Sequence, residues 1–187
     1  MRWEQLFADM ESQLAAAGQQ ALEEEAADQA RAEYSRVRLA QRLQVRHGEP
    51  VRALLTGAVP VEGRVRGQGA GWVALEDRGV EHLVPLAAAL WWESLGRGWD
   101  PDPGPVQLRL GLAHALRALA RARTGVRVRV AGGGPLGELD GTIDGVGADF
   151  FDLALHPDDD YRRRASVTAL RTVAFPALVC VSSLSGG

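Results

Sequence analysis

The chain has 187 residues and a formal net charge of −3, with 46% hydrophobic and 24% charged residues. This composition suits one modest globular domain or two small ones, and it excludes a collagen-like, disulfide-stapled or wholly disordered chain. All 21 basic residues are Arg and no Asn is present, which indicates a G+C-rich genome. The abundance of Arg therefore does not by itself indicate a nucleic-acid-binding protein.

The cysteine usage and the hydropathy pattern predict a cytoplasmic protein. Cys180 is the only cysteine, so neither an intrachain disulfide nor a cysteine-based zinc site can form. It lies in the apolar stretch 173–181, which predicts a buried side chain. No apolar run approaches the roughly 20 residues of a membrane span, and the first residues show no signal-peptide pattern.

Hydrophobic periodicity divides the chain into four segments in order. The apolar residues of segment 1–47 recur at helical spacing. They predict either one long N-terminal helix or two helices with a break near Gly18. Residues 48–95 alternate as short strands divided by glycines and predict a first β unit. Residues 96–106 are rich in Pro and Gly and form a linker, and residues 107–187 predict a leading helix and a second β unit.

The two β units align with each other. Residues 62–75 match residues 140–153 without a gap, so that an acid–Gly pair opens both stretches and glycines recur at the same positions. Further along, residues 84–92 match residues 173–181. The units differ mainly in a longer charged loop in the second, so the sequence predicts an internal duplication.

The repeated unit resembles the small β-barrel of the Sm/Hfq superfamily. The resemblance is carried by Gly141–Leu155 and, in the first repeat, by Gly63–Leu75: a glycine, alternating apolar residues, a turn, then an aromatic residue and a strand. It implies a mainly β protein with helices, containing two Sm-like or SH3-like five-stranded small β-barrels, each preceded by a helix. It also implies edge-to-edge assembly of the barrels.

The residues that form the nucleobase pocket in the Sm pattern are not preserved. Gly69 or Gly71, and Gly147 or Asp149, stand near the position of the pattern's Asp. Apolar residues or an Asp replace its Asn, and its second motif is also missing. The resemblance therefore implies the barrel and its assembly, and it does not carry over an intact RNA pocket.

No constellation for catalysis or metal binding is present in the sequence. No serine lies in a nucleophile-elbow motif, and no pair of carboxylates is marked for acid–base chemistry. The four histidines are scattered without metal-ligand spacing, at His47, His82, His114 and His156. The sequence predicts a protein that is not an enzyme and binds no cofactor or metal.

Charge in the second half is unevenly distributed. Residues 106–130 contain six Arg and no acid, whereas residues 131–160 contain eight acids and no Arg. Two interpretations stay open: the Arg face of a strand pairs with the neighbouring acidic strand, or it forms a phosphate-binding patch. The candidate RNA-binding residues are Arg117, Arg121, Arg123, Arg127, Arg129, Arg162, Arg163 and Arg164.

Trp91 and Trp92 are candidate interface residues because neighbours in a strand point to opposite faces, and one of them lacks a partner inside a barrel. The N-terminal helix either packs on a protein partner or is solvated. The leading functional hypothesis is a non-enzymatic RNA-binding or RNA-chaperone-like protein within a ribonucleoprotein. The alternative is a protein–protein assembly module without an RNA pocket. Its assembly is a ring of three chains, giving six modules, or a monomer with internally paired barrels.

Overall fold

The computed structural model describes residues 2–100, 109–155 and 169–184. The chain divides into two units, Met1–Arg38 and Leu39–Gly187. The first contains α1 (Arg2–Tyr34), a helix of 33 residues that continues through Gly18. A single glycine costs a helix only about 1 kcal/mol, which the neighbouring Ala and Gln residues tolerate. No helix in the described residues is long and apolar enough to cross a membrane.

Among the described residues, the second unit contains two short α-helices and ten strands. The helices are α2 (Leu39–Gln44) and α3 (Leu112–Ala122). The strands are β1 (Pro50–Leu55), β2 (Val59–Gly69), β3 (Trp72–Asp77), β4 (Val80–Pro85), β5 (Ala89–Glu93), β6 (Gly125–Val130), β7 (Glu138–Val146), β8 (Phe150–Leu155), β9 (Ala169–Ala174) and β10 (Leu178–Ser183).

All ten strands form one antiparallel sheet in the order β5-β1-β2-β3-β4-β10-β6-β7-β8-β9. We call β5-β1-β2-β3-β4 the first half-sheet and β10-β6-β7-β8-β9 the second. The pair β4·β10, which joins them, is the seam. In each half-sheet the last strand in the chain (β5 or β10) lies beside the first (β1 or β6), and the fourth strand (β4 or β9) lies at the opposite edge. The two half-sheets therefore have the same strand order.

The prediction of two closed five-stranded barrels is wrong, because the sheet is continuous and open. In a closed unit the fourth and last strands would pair with each other. Here β4 pairs with β10 of the other half, and the described residues show β5 paired only with β1. β10 pairs with β4 on one side and with β6 on the other, so its edge is already occupied and does not close the second half.

Each half-sheet has a hydrophobic core under a helix. Leu43 of α2 is fully buried in the first core, and Leu116 of α3 in the second. The seam strands interlock the two cores, because Cys180 of β10 belongs to the first and Leu83 of β4 to the second. The predicted burial of Cys180 is confirmed at 3% exposure, and burial raises the pKa of its thiol.

Both half-sheets bend at a glycine in their second strand. The register between β2 and β3 shifts at Val65/Gly67, and that between β7 and β8 shifts at Ile143/Gly145. A β-bulge of this kind bends the strand and increases its twist. The glycines that the sequence alignment matched therefore occupy the same structural position.

Candidate functional site at the seam

The seam is held by backbone pairing and by side chains from both half-sheets. Val181 lies opposite Leu83, and Ser182 lies opposite His82. The Glu81 amide donates a hydrogen bond to Ser183 Oγ at 2.9 Å, and His82 Nδ1 lies 2.8 Å from Ser182 Oγ. The two serines of β10 thus add side-chain hydrogen bonds to a short strand pair.

His82 is a titratable residue of the seam strand β4 whose pKa is shifted. Burial lowers the pKa of His82 below its ordinary value of 6.5; the charge of Asp77 opposes this, and the charge of Arg129 adds to it. The folded protein therefore favours the neutral imidazole of His82, whose Nδ1 can form a hydrogen bond with the Ser182 hydroxyl.

The seam is expected to lose stability when the pH falls below about 6.5, because the unfolded chain then binds a proton at His82 more readily than the folded chain does. Urea unfolding at about pH 7.5 and about pH 5.5 measures this loss. The His82→Gln variant should lose part of the difference between the two pH values. The control is His114→Gln at an exposed histidine, which should keep the full difference in stability between the two pH values. An unchanged pH dependence in His82→Gln would show that His82 is not the group responsible.

A cavity of about 620 Å³ lies beside the seam. Its walls come from β2, β3 and β4 of the first half-sheet, from β6 and β10 of the second, and from both short helices. Three histidines line it: His47, His82 and His114. Among the described residues, no three His, Cys, Asp or Glu side chains are placed to hold a metal ion.

The start of α3 is fastened to the first half-sheet beside this cavity. The Leu110 carbonyl accepts hydrogen bonds from the Ala70 amide at 2.9 Å and from Trp72 Nε1 at 2.8 Å. Gly69 makes this approach possible, since a Cβ there would overlap the Leu110 carbonyl and the Trp72 ring. The indole ring is thereby fixed in one orientation at the cavity wall.

A buried side-chain amide, that of Gln68, also lines the cavity. Gln68 of β2 is 6% exposed and donates a hydrogen bond from Nε2 to Gln44 Oε1 of α2. Its own Oε1 has no partner among the described residues. This bond links α2 to the strand that bends at Gly67.

The predicted Arg face of β6 is paired with the acids of β7. Arg127 donates bidentate hydrogen bonds to Asp140, from Nε to Oδ1 at 2.8 Å and from Nη2 to Oδ2 at 2.7 Å. Arg129 Nη2 lies 2.7 Å from Glu138 Oε2. The Asp140 side chain is only 15% exposed, so this pair is partly shielded from solvent. Of the two interpretations that the sequence left open, the structure shows internal pairing for these two residues.

The remaining candidate RNA-binding residues are distributed differently. Arg117 donates a hydrogen bond to the Gly147 carbonyl at 3.1 Å. Arg121 lies in the last turn of α3 and Arg123 directly follows that helix; both are exposed, and neither forms a salt bridge with another described residue. Arg162, Arg163 and Arg164 lie outside the described residues.

The two candidate interface tryptophans lie on the edge strand β5. Trp92 packs against the first core, and its Nε1 is buried without a hydrogen-bond partner among the described residues. Trp91 is 43% exposed, and its neighbour Leu90 is 61% exposed. The edge strand thus carries one core residue and an exposed apolar pair.

Sequence reasoning did not identify the seam histidine or the cavity. His82 and Ser182 are 100 positions apart, and the histidines that line the cavity come from three separate stretches of the chain. Strand alternation specifies which face a residue occupies, but it does not specify which strand lies beside an edge. No local signal in the sequence could have brought these residues together.

Comparison with known proteins finds no match to a family model, to a curated protein or to a solved structure. The resemblance to the Sm/Hfq superfamily therefore stays a prediction that the Gly141–Leu155 motif carries. The RNA-binding role also stays a prediction.

Proposed function

We propose that this chain is a non-enzymatic assembly module that joins further copies of itself to the two ends of its sheet. The observation that carries the proposal is the seam, in which the fourth strand of one half-sheet pairs with the last strand of the other. The ends of the sheet are β9, the fourth strand of the second half, and β5, the last strand of the first. The same pairing can therefore recur between two chains.

The register of the strands establishes which residues are equivalent. In the first half-sheet, Arg52 of β1 lies opposite both Glu62 and Glu93. In the second, Arg127 of β6 lies opposite both Asp140 and Ser182. Glu93 is therefore equivalent to Ser182 and Trp92 to Val181.

The outer strands follow in the same way. His82 of β4 lies opposite Leu75, and Arg171 of β9 lies opposite Leu153. Since the alignment matches Leu75 with Leu153, Arg171 is equivalent to His82. Copying the seam between two chains then places Arg171 of one copy opposite Glu93 of the next. These opposite charges favour association in this register.

Both ends of the sheet are suited to strand addition. Among the described residues, β5 pairs only with β1 and β9 only with β8, so each has one edge of unpaired backbone groups. Exposed apolar side chains accompany them: Leu90 and Trp91 on β5, and Leu170, 58% exposed, on β9. Neither end has a proline within its strand, which would block pairing.

The contact is heterologous, because different surfaces of the two copies meet, and such contacts build closed rings or open filaments. The resemblance to the Sm/Hfq superfamily supports the ring, in which three chains supply six half-sheets. The α1 helix lies outside the sheet unit and takes no part in this proposal.

Charge reversal at the proposed contact tests the assembly. Arg171→Glu and Glu93→Arg should each weaken self-association by about tenfold or more, because like charges then face each other. The double variant restores opposite charges and should recover association. Sedimentation velocity over a range of protein concentrations measures each constant.

Arg64→Glu is the matched control, because Arg64 is exposed on the inner strand β2 and lies at neither edge. It should associate like the wild type. Equal association by all four variants, or two single losses without recovery in the double variant, would refute the Arg171–Glu93 register.

RNA binding is the second candidate function, and the exposed Arg121 and Arg123 on α3 favour it. Their guanidinium groups are open to phosphate, unlike the paired groups of Arg127 and Arg129. Fluorescence anisotropy with short U-rich and A-rich RNAs should show binding at low micromolar protein that weakens as salt is added. Unchanged affinity in the Arg121→Glu/Arg123→Glu variant, or an absence of salt-dependent binding, would rule this candidate out.

A further inference from the structure

The cavity beside the seam has the walls of a small-molecule site. Trp72, Leu83, Leu110 and Leu119 supply apolar surface, and its volume of about 620 Å³ falls within the range of ligand pockets. The indole ring of Trp72 is held in place by its hydrogen bond to the Leu110 carbonyl. A fixed aromatic ring against aliphatic side chains favours a flat apolar ligand.

The charges on the walls disfavour an anionic ligand. The Arg and Glu side chains among the described lining residues are Arg66 and Glu81, whose charges are opposite. Arg66 is further neutralised by Glu76, to which its Nε donates a hydrogen bond at 3.1 Å. An anion would therefore find no net positive charge from these side chains in the cavity.

Polar groups along the cavity supply hydrogen bonds. An imidazole ring can hydrogen-bond through its two nitrogens, and His47, His82 and His114 all line the cavity. Ser183 adds a hydroxyl on the β10 side. A ligand with a carbonyl, amine or hydroxyl group on its ring can meet one of these partners while its ring covers the apolar wall.

We propose that this cavity binds a neutral, planar aromatic molecule that carries a hydrogen-bonding group. The site is independent of the proposed assembly function, because none of the walls comes from β5 or β9. Its walls do come from both half-sheets and from α3, so ligand binding stabilises the seam by mass action.

Prodan, a neutral aromatic ketone with an amine substituent, is a suitable probe because its emission rises and shifts to the blue in apolar surroundings. Titration of the full chain should show saturable binding of one molecule per chain in the micromolar range. The anionic dye anilinonaphthalene sulfonate should bind at least about tenfold more weakly. An absence of saturable prodan binding, or tighter binding of the anion, would overturn the proposal.

Gly67→Leu fills the cavity, because a Cβ at Gly67 meets no atom within 4 Å and Gly67 lines the wall. This variant should weaken prodan binding by about tenfold or more. Gly145→Leu is the matched control, since Gly145 occupies the same bulge in the second half-sheet and does not line the cavity. Equal affinity in Gly67→Leu and the wild type would contradict the site.

A second pair of variants protects the test against misfolding of Gly67→Leu. Ala118 is exposed on α3 and lines the cavity, whereas Ala122 is exposed on the same helix and does not. Ala118→Trp should weaken prodan binding and Ala122→Trp should leave it unchanged, with circular dichroism confirming that both are folded. Equal binding by the two tryptophan variants would refute the assignment.

Discussion

Replacing Phe151 by alanine is expected to lower the free energy of unfolding by about 3–5 kcal/mol. Phe151 is the largest fully buried side chain of the described residues and lies in the second core, between Val146 of β7 and Val173 of β9. Its removal leaves a cavity that closely packed strands cannot close. Urea unfolding followed by circular dichroism measures the change.

Phe150→Ala is the matched control for this prediction, because Phe150 is the preceding residue and points to the other face of β8. It is 37% exposed, so its loss should cost about 1 kcal/mol or less. Similar losses from Phe150→Ala and Phe151→Ala would contradict the placement of the second core.

Gly141→Val is expected to destabilise the protein by about 2–3 kcal/mol, because β7 has no space for a side chain at this position. A Cβ at Gly141 would overlap the carbonyl oxygen of Ala154 on β8. That oxygen belongs to the backbone, so the clash can be relieved only if the strands move apart. The midpoint of urea unfolding should fall accordingly.

Gly145→Val is the control on the same strand. A Cβ at Gly145 would lie 3.7 Å from Asp152 Oδ2, which is an ordinary contact. It should change the free energy of unfolding by less than about 1 kcal/mol. If Gly141→Val were as stable as Gly145→Val, the close approach of β7 and β8 at Gly141 would be wrong.

The acid–Gly pairs in the two repeats show how much of the fold local sequence encodes. Glu62 pairs with Arg52 at 3.0 Å, and Asp140 pairs with Arg127 at 2.7 Å. The glycine that follows each acid lies against a neighbouring strand; a Cβ at Gly63 would lie 2.9 Å from the Glu76 carbonyl oxygen. In both half-sheets the acid forms a cross-strand ion pair and the glycine allows a neighbouring strand to approach closely. Because the same residue types are required at the same positions, the sequence alignment could detect the repeat.

The seam could not be predicted in the same way. Strands of a closed barrel and of an open sheet share the same alternation of buried and exposed residues, so the pattern in residues 48–95 and 126–183 suits both. The choice depends on whether β10 pairs with its own fourth strand or with β4. That choice places His82 beside Ser182 and forms the cavity, and neither feature has a local signal.

The Arg clusters were also only partly predictable. The alternation of Arg127 and Arg129 with valines correctly places them on one strand face, and the acids opposite them were visible as a charge segment. Whether these Arg side chains meet the acids depends on the register of β6 against β7. A one-residue shift of that register would turn the side chains to opposite faces of the sheet. The structure places Arg127 opposite Asp140 and Arg129 opposite Glu138.

The mass of the wild-type protein in solution tests the assembly proposal most directly. One chain has a mass of 20.1 kDa. If β9 of one copy adds to β5 of the next, native mass spectrometry and sedimentation should show multiples of this mass, with three chains as the closed ring. A species of 20.1 kDa at every protein concentration would contradict the proposal that the seam is repeated between chains.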